Sequence, residues 1–474
     1  MQRGDAPRHA QPAEAAQGEQ APQEADGAHG RRVRRARHHH AGRLADVHLD
    51  GRHRRGHRRR PRPLRPGLRP GRGGLRVPRR SRWLLLASFG LLVSATQVLW
   101  LSFAPITPEA HRALGVSEGA IGDLAVINPL MYVLLALPAG RWMDRRFGAA
   151  LGAGALLTAS GALLRVVHPS SYGWVFAGQL VLSAGQPLVL NASTKVAARY
   201  FPPGERTTAI SVASAAQFVG ILAAALTGTL LWDAGGLRLV LVVHAVLATA
   251  AAAGVLAALR LPAGYRTEVT GHAPLGWLKH DPLLWRLGGL LFVGVGVFNA
   301  VATWLDSILG DLGHPGAAGG LIAVMTAAGI LGAAVLPGVA ARRNRRREVL
   351  LTTTLATLVA FLAIAVVHDV LFAGVVLAVE GFVLLAGLPV ALDWSELESG
   401  PERAGTATGF LLLAGNLGGV VLVLVVQAVI GNPYLALVAI SALAVPGIVL
   451  ALRLPRHARS HLEDDRVRAE ELPA

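Results

Sequence analysis

Long stretches without a charged residue recur from Trp83 almost to the end of this 474-residue chain, and they constrain its fold more than any other feature. A helix rises ~1.5 Å per residue, so about 20 apolar residues cross a hydrocarbon layer of ~30 Å. We therefore predict an all-α membrane protein. The longest stretch, residues 404–452, is divided by the turn signal Gly431-Asn432-Pro433. The twelve predicted spans lie near residues 83–106, 119–140, 149–168, 173–196, 206–231, 237–259, 285–309, 315–341, 348–367, 369–392, 404–430 and 433–453.

The formal net charge of +17 is concentrated at the start of the chain. Residues 1–82 hold 22 of the 46 Lys and Arg residues but only 7 of the 29 acids. This region has no apolar period and cannot bury enough surface to offset its chain entropy, so we predict that residues 1–80 are a disordered basic tail. Such a tail can bind anionic lipid or nucleic acid, and the histidines at 38–40 can touch a metal. The alternative explanation of this composition is GC-rich DNA upstream of the true start of the protein, since such DNA encodes many Arg, Pro, Gly, Ala and His residues. Val77, just before the first span, is then the alternative first residue.

Lys and Arg in short loops indicate the orientation of the spans, because such loops stay on the cytoplasmic side. With the N-terminus inside, the cytoplasmic connections carry sixteen basic residues, and the other side carries only Arg112, Arg165 and Arg238. We therefore expect both termini to be cytoplasmic, in a plasma membrane and specifically a bacterial inner membrane.

Two pairs of positions indicate an internal duplication. Gly140 follows a Leu-Pro-Ala segment and Gly338 a Leu-Pro segment 198 residues later, while Arg206 and Arg403 each follow a Glu and are 197 apart. Because the two pairs have nearly the same separation, we predict two six-helix pseudo-repeats, with a substrate site near the midplane between them. The predicted units are the N-terminal half 81–260, a cytoplasmic linker 261–284, the C-terminal half 285–455 and a charged cytoplasmic tail 456–474.

The segment GRWMDRRFG at 140–148 resembles the loop 2–3 motif of the major facilitator superfamily. The resemblance implies the major facilitator fold over all twelve spans. The second copy of the motif is degenerate, since Gly338 remains but Arg342 stands where Asp144 would map.

A narrower resemblance covers the fourth and fifth spans. The segments GQPLVLN at 185–191, KVAARYF at 195–201 and ERTTA at 205–209 are similar to the feline leukaemia virus subgroup C receptor-related transporters. QVLW at 97–100 and the stretch 396–405 are compatible with that group. Its animal members are associated with choline, ethanolamine or haem transport.

The loop motif predicts a gate. Gly140 lets two helices approach closely, and Asp144 can accept from Arg side chains or face the N-terminus of the eleventh span, where the helix dipole favours an anion. Arg145 and Arg146 complete the predicted gating set. The alternative is that these charges are only solvated loop residues.

Four polar side chains lie close to the middle of spans 1, 4, 7 and 10: Gln97, Gln186, Asn299 and Glu380. Polar groups at that depth are costly and usually face the bundle interior or water, so we predict a substrate-binding cavity. Trp100 and Thr303 lie one turn from Gln97 and Asn299 and join the predicted set. Hydrogen bonds between helices are the alternative explanation for any single member.

Glu380 is the only acid far from both ends of its span, and no Lys or Arg lies at matching depth in any other predicted span. Its expected partner is therefore a proton, a metal or alkali ion, or a cationic substrate. A buried carboxylate and the ring of Trp100 suit an organic cation. Glu380 and Asp306 are the candidates for ion coupling. The alternative is a structural carboxyl group bonded to a carbonyl of span 7 or 11 or to Asn416.

The sequence thus predicts a secondary active or facilitative transporter of a small organic solute, with an organic cation or amine as the favoured class and a proton-coupled transporter of organic anions, amino acids or drugs as an alternative. The alternatives are a membrane-embedded sensor with a transporter fold and a nucleic-acid-binding protein tethered to the membrane. The chain has no cysteine, no glycine-rich nucleotide loop and no paired metal ligands, so we expect no enzyme activity, no cofactor, no metal site and no nucleic-acid partner. We expect a monomer surrounded by lipid that takes a proton or sodium ion as its coupling partner.

We expect the basic tail to be dispensable, because it supplies no packing and lies ahead of the first span. A chain that starts at Val77 should insert into the membrane and act as the full chain does, measured by membrane fractionation. Loss of insertion on removal of residues 1–76 would refute this.

Overall fold

The computed structural model describes residues 79–265, 267 and 275–456. Almost all of the predicted basic tail and nearly all of the charged C-terminal tail lie outside these residues. The described part of the chain is helical, with short turns and no strand.

Ten apolar helical segments in the described residues are long enough to cross a membrane, and two of them, Pro203–Ala258 and Val370–Gln427, have 56 and 58 residues, enough for two passes each. The prediction of an all-helical membrane protein is therefore confirmed. Eight spans are single helices. Span 1 is Arg79–Trp100, span 2 Glu118–Arg145, span 3 Phe147–Val167, span 4 Tyr172–Leu190, span 7 Pro282–Asp311, span 8 Ala318–Arg342, span 9 Arg346–Val366 and span 12 Pro433–Leu452.

Glycines divide the two long segments. Gly236 has φ 62° and Gly400 has φ 73°, in the left-handed region that residues with a side chain rarely adopt. Helix Pro203–Ala258 therefore holds span 5 before Gly235 and span 6 after Gly236. Span 10 is Val370–Leu384 together with the part of Gly387–Gln427 that precedes Gly400, and span 11 is the remainder.

Four short elements accompany the twelve spans. A 3-10 turn, Ala104–Ile106, and a helix, Thr107–Leu114, follow span 1. Each has a proline in its first turn, where the missing N–H costs nothing. Helix Ala192–Tyr200 continues span 4, and Gly276–Lys279 lies in the predicted linker.

The outer surface of the bundle is apolar, as a hydrocarbon environment requires. On span 2, Val126, Leu130 and Leu134 follow at intervals of four residues and are 62%, 51% and 57% exposed, whereas Tyr132 and Ala136 are fully buried. One face of the helix thus points to lipid and the other to the interior. The same distribution recurs on the other spans.

The two ends of the bundle differ in charge. Spans 1, 5 and 9 begin and span 12 ends at one end, where Arg82 pairs with Glu205 and Arg347 donates to the Leu452 carbonyl. We call this end the basic face, because most loop Lys and Arg residues of the described chain lie there. The other end is called the opposite face.

Glycines allow several spans to approach at backbone distance. A Cβ at Gly332 of span 8 would overlap the carbonyl oxygen of Phe382 in span 10, and one at Gly381 would overlap the carbonyl oxygen of Met325. At the interface of spans 7 and 11, a Cβ at Gly418 would overlap the carbonyl oxygen of Phe292. Such packing holds helices together where lipid offers no hydrophobic driving force.

We expect Gly332→Ala to lower the free energy of unfolding by ~1–3 kcal/mol, because the added methyl group meets a backbone atom that cannot rotate away. The measurement is the Tm of the purified protein in detergent. Gly320→Ala is the control on the same span, since a Cβ there meets nothing within 4 Å. Equal melting of both variants would contradict the close packing of spans 8 and 10.

Candidate functional site

A cavity of about 910 Å³ is lined by both the first six and the last six spans. Its wall is mostly apolar, and within the described residues it contains no charged side chain. At the opposite face, the lining reaches Ala104 and Pro105 in the 3-10 turn after span 1 and Gly319 at the start of span 8. The polar residues of the wall are Gln97, Trp100, Gln186, Gln217, Asn299, Thr303, Thr326, Thr353, Thr354, Thr357 and Asn416.

Five of the six residues predicted to bind substrate line this cavity. Gln97 and Gln186 are buried, and Trp100 donates its indole N–H to the Ala125 carbonyl at 2.9 Å. On span 7, the Thr303 hydroxyl donates to the carbonyl of Asn299 at 2.7 Å. The structure therefore brings together residues of spans 1, 4 and 7.

The sixth predicted binding residue, Glu380, and the second coupling candidate, Asp306, lie outside the cavity wall. Asp306 is exposed and is not part of the cavity wall, although Asn299 and Thr303 of the same span are. Glu380 is 1% exposed and lies behind the wall, because its side chain faces span 9. The Thr357 hydroxyl, 2.5 Å from Glu380 Oε1, separates it from the cavity. Its expected partner Asn416 donates to the carbonyl of Leu412 instead.

Gln217 of span 5 is a cavity residue that the sequence analysis missed. Its side chain is 8% exposed, and its buried Nε2 has no hydrogen-bond partner. The sequence could have indicated Gln217 in the same way as the other amides, because it lies in the middle of an apolar span. Next to it, Phe218 contacts Phe298 of span 7 with ring centroids 6.5 Å apart.

Arg165 lies in the last turn of span 3, where its position in the sequence placed it, but its side chain is fully buried. Its guanidinium donates to Gln179 Oε1 at 2.8 Å and to Ser102 Oγ at 3.2 Å. Ser102 in turn lies 2.9 Å from Nδ1 of His244. This group ties spans 1, 3, 4 and 6 together, so Gln179 serves packing and does not face the cavity.

At the basic face, Asp144 of span 2 binds the N-terminus of span 11. Its Oδ1 accepts from the backbone N–H of Gly405 at 2.9 Å, and its Oδ2 accepts from the N–H of Thr406 at 2.9 Å and from the Thr406 hydroxyl at 2.5 Å. Asp144 is 6% exposed. A carboxylate at this position stabilises the unpaired N–H groups and dipole of the helix.

Lys195 is the cation that reaches Asp144. Its Nζ lies 3.1 Å from Asp144 Oδ1 and donates to the carbonyls of Pro401 at 2.7 Å and Glu402 at 2.9 Å, and also to the carbonyl of Thr267. Lys195 is fully buried. Arg145 and Arg146, the cations predicted for this role, are exposed. The physical reason is that they point to solvent from the loop, while Lys195 follows span 4 into the interface.

A second group of charges joins spans 5, 9 and 10. Arg206 pairs with Glu396 at 2.8 Å, and the Thr207 hydroxyl donates to Asp393 Oδ1 at 2.5 Å. Asp393 Oδ2 accepts from Arg346 Nε at 2.6 Å. We call this group and the Asp144–Lys195 group the clasp. Both groups connect the first six spans to the last six at the basic face.

Glycines bring spans 2 and 11 together beneath the clasp. A Cβ at Gly140 would lie 2.7 Å from the Gly405 carbonyl oxygen, and one at Gly409 would lie 2.7 Å from the Ala136 carbonyl oxygen. Side chains at these positions would push Asp144 away from span 11. The close approach expected at Gly140 is thus present.

We expect Asp144→Asn to weaken the closure of the basic face, because it removes the charge that faces Lys195 and the helix dipole. The measurement is the labelling rate of a cysteine at the buried Ala404, in a chain that has no other cysteine. We expect an increase of about tenfold, equivalent to ~1.4 kcal/mol.

Asp123→Asn is the control, since Asp123 is an exposed acid on the same span. If both variants label at the wild-type rate, the contacts of Asp144 do not hold the basic face closed.

Comparison with known proteins agrees with this architecture. The family model of the Major Facilitator Superfamily matches residues 87–423. Solute carrier family 49 member A3 of Danio rerio is 29% identical over 375 residues, 74% of this chain and 78% of that protein. The human choline/ethanolamine transporter FLVCR2 is 29% identical over 151 residues, 31% of this chain and 28% of that protein.

Solved structures support the fold. A bacterial homologue of the iron transporter ferroportin in its outward-facing state has a TM-score of 0.66 at 15% identity, covering 79% of this chain and 99% of that one. The transporter FucP in its outward conformation has a TM-score of 0.64 at 15% identity, with the same coverage. The chain, closed by a clasp beneath a central cavity, belongs to the major facilitator superfamily of transporters.

Proposed function

We propose that this protein moves a small organic solute across the plasma membrane by alternating access, as a facilitative or secondary active transporter. The observation that carries the proposal is the combination of a central cavity reaching the opposite face with a clasp at the basic face. Alternating access needs two arrangements of the halves, each closed on one side. Contacts such as that of Asp144 with span 11 exist only in the arrangement closed at the basic face, so they bias the equilibrium between the two.

We infer that the basic face is cytoplasmic, with both termini on that side, since loop Lys and Arg residues are retained there. The cavity then faces outward. The two sequence relatives named above come from animals, and the solved structures named above are similar in fold alone, so neither comparison supports the bacterial inner membrane expected from the sequence.

The wall of the cavity favours a solute with an apolar body and a few hydrogen-bonding groups. Amides line the side formed by spans 1, 4 and 5, and threonines line the side formed by spans 8 and 9. The unpaired Nε2 of Gln217 suits an oxygen acceptor on the solute, because a buried donor without a partner costs ~1–3 kcal/mol. An inorganic ion would find no compensating charge in this wall.

Within this class we propose an organic cation or amine. The rings of Trp100, Phe218 and Phe298 line the cavity, and aromatic faces attract a desolvated cation by ~2 kcal/mol or more. The FLVCR2 relative, whose name gives choline and ethanolamine as its substrates, supports the same class. Since Glu380 lies behind the wall, the aromatic rings rather than the carboxylate carry this proposal.

The test compares choline with 3,3-dimethylbutan-1-ol, which has the same shape but no charge. Choline uptake into proteoliposomes should saturate and should be inhibited by unlabelled choline more strongly than by the alcohol. Trp100→Leu should weaken choline binding by about tenfold or more and affect the alcohol less.

Trp304→Leu is the matched control, because Trp304 also donates its indole N–H to a carbonyl, that of Val423 at 3.0 Å, but does not line the cavity. Equal inhibition by both compounds would overturn the organic-cation class. Binding of choline without its uptake would favour a membrane-embedded sensor over a transporter.

A further inference from the structure

Glu380 is buried among groups that carry no charge. Spans 8 and 9 pack against span 10, with the Met325 backbone at Gly381 and Thr357 at Glu380 itself. Residues 318–341 of span 8 and 349–366 of span 9 contain no titratable side chain, and neither does the rest of span 10 from Val370 to Leu392. An ionised Glu380 would therefore have no counter-charge.

The Thr357 hydroxyl determines which form of Glu380 fits this geometry. Its Oγ1 lies 2.5 Å from Glu380 Oε1 and 3.0 Å from the carbonyl oxygen of Thr353. A hydroxyl has one hydrogen, so it cannot donate to both oxygens. Both contacts are hydrogen bonds when a carboxylic O–H of Glu380 donates to Thr357 and Thr357 donates to Thr353.

The second oxygen of Glu380 agrees with this arrangement. Oε2 is buried and has no hydrogen-bond partner. Leaving the carbonyl oxygen of a neutral acid unpaired costs less free energy than leaving half of a carboxylate unpaired. The carboxyl group therefore holds a proton in the arrangement closed at the basic face.

We propose that Glu380 is a proton-binding site that the central cavity reaches through the hydroxyl of Thr357. Thr357 lines the cavity and Glu380 does not, so this hydroxyl lies between them. In uptake, a hydronium ion in the cavity gives a proton to Thr357 Oγ1 as the hydroxyl hydrogen passes to the carboxylate of Glu380, and a neutral water remains in the cavity. Release is the reverse.

The site also links the proton to the solute. A solute that hydrogen-bonds to Thr357 changes whether this hydroxyl donates or accepts, so it changes the proton affinity of Glu380. Linkage is reciprocal, and protonation must then change the affinity for the solute by the same factor. This link rests on the proposed transport function, whereas the proton site itself does not.

Infrared difference spectroscopy of the purified protein tests the site without any solute. The wild type should show the carbonyl stretch of a protonated carboxylic acid, shifting when the protein is moved into D₂O, and Glu380→Gln should lose it. Thr357→Val should change its frequency and slow its exchange with D₂O by about tenfold or more, since the hydroxyl step is removed. Thr357→Ser should restore both.

Glu348→Gln is the control, because it makes the same chemical change at an exposed acid of span 9. The proposal is overturned if Glu380→Gln leaves the carboxylic band unchanged, or if Thr357→Val exchanges at the wild-type rate with the wild-type frequency. Since the spectra involve no transport, failure here is distinguishable from failure of the proposed function.

Discussion

The contact of Asp144 with the start of span 11 is the interaction on which the rest of the structure depends. A carboxylate buried between two helices would be costly alone, but here it meets two backbone N–H groups, a hydroxyl and the ammonium group of Lys195. These partners come from two places in the chain, the start of span 11 at Gly405 and Thr406 and the helix that continues span 4 at Lys195. Closure of the basic face therefore assembles a complete set of partners at once, and separation of the halves would expose all of them.

The two parts of the clasp occupy equivalent places with opposite charges. Lys195 and Asp393 are 198 residues apart, the same offset as Gly140 and Gly338. In the first six spans an acid before span 3 faces a base after span 4, and in the last six a base at the start of span 9, Arg346, faces an acid near the end of span 10. Each pair also contacts the beginning of a span from the other half. Arg346 lies four residues after Arg342, the position to which Asp144 maps, so the motif position itself is not part of the clasp but a base close to it takes the place of the acid.

Much of the fold follows from the sequence because each crossing of the hydrocarbon layer needs about 20 apolar residues without charge. Charge-free stretches located all twelve passes, and Gly431-Asn432-Pro433 marked the turn before span 12. The sequence also identified Gln97, Gln186 and Asn299 as cavity residues, since an amide at mid-span depth usually faces the bundle interior or water. Depth alone does not say which way a side chain points around the helix, and for that reason Glu380 was assigned to the cavity.

Lys195 and Arg165 show the other limit of sequence reasoning. Both were read as charges near the ends of spans, and both are fully buried. Their surroundings come from distant parts of the chain: Pro401 and Glu402 for Lys195, and Leu99 and Gln179 for Arg165. Long basic side chains reach their partners through several rotatable bonds, so the position of the Cα predicts the place of the charge poorly.

The buried charges of the described residues lie in three separate groups, each away from the cavity wall. The clasp holds charges at the basic face, Arg165 and its partners stabilise the packing of the first half, and Glu380 is screened from the cavity by one hydroxyl. The cavity wall itself is left without charge. A neutral wall lets a solute leave as readily as it enters, because no strong ion pair has to be broken. The charges that bias the arrangement of the halves can then act without trapping what passes between them.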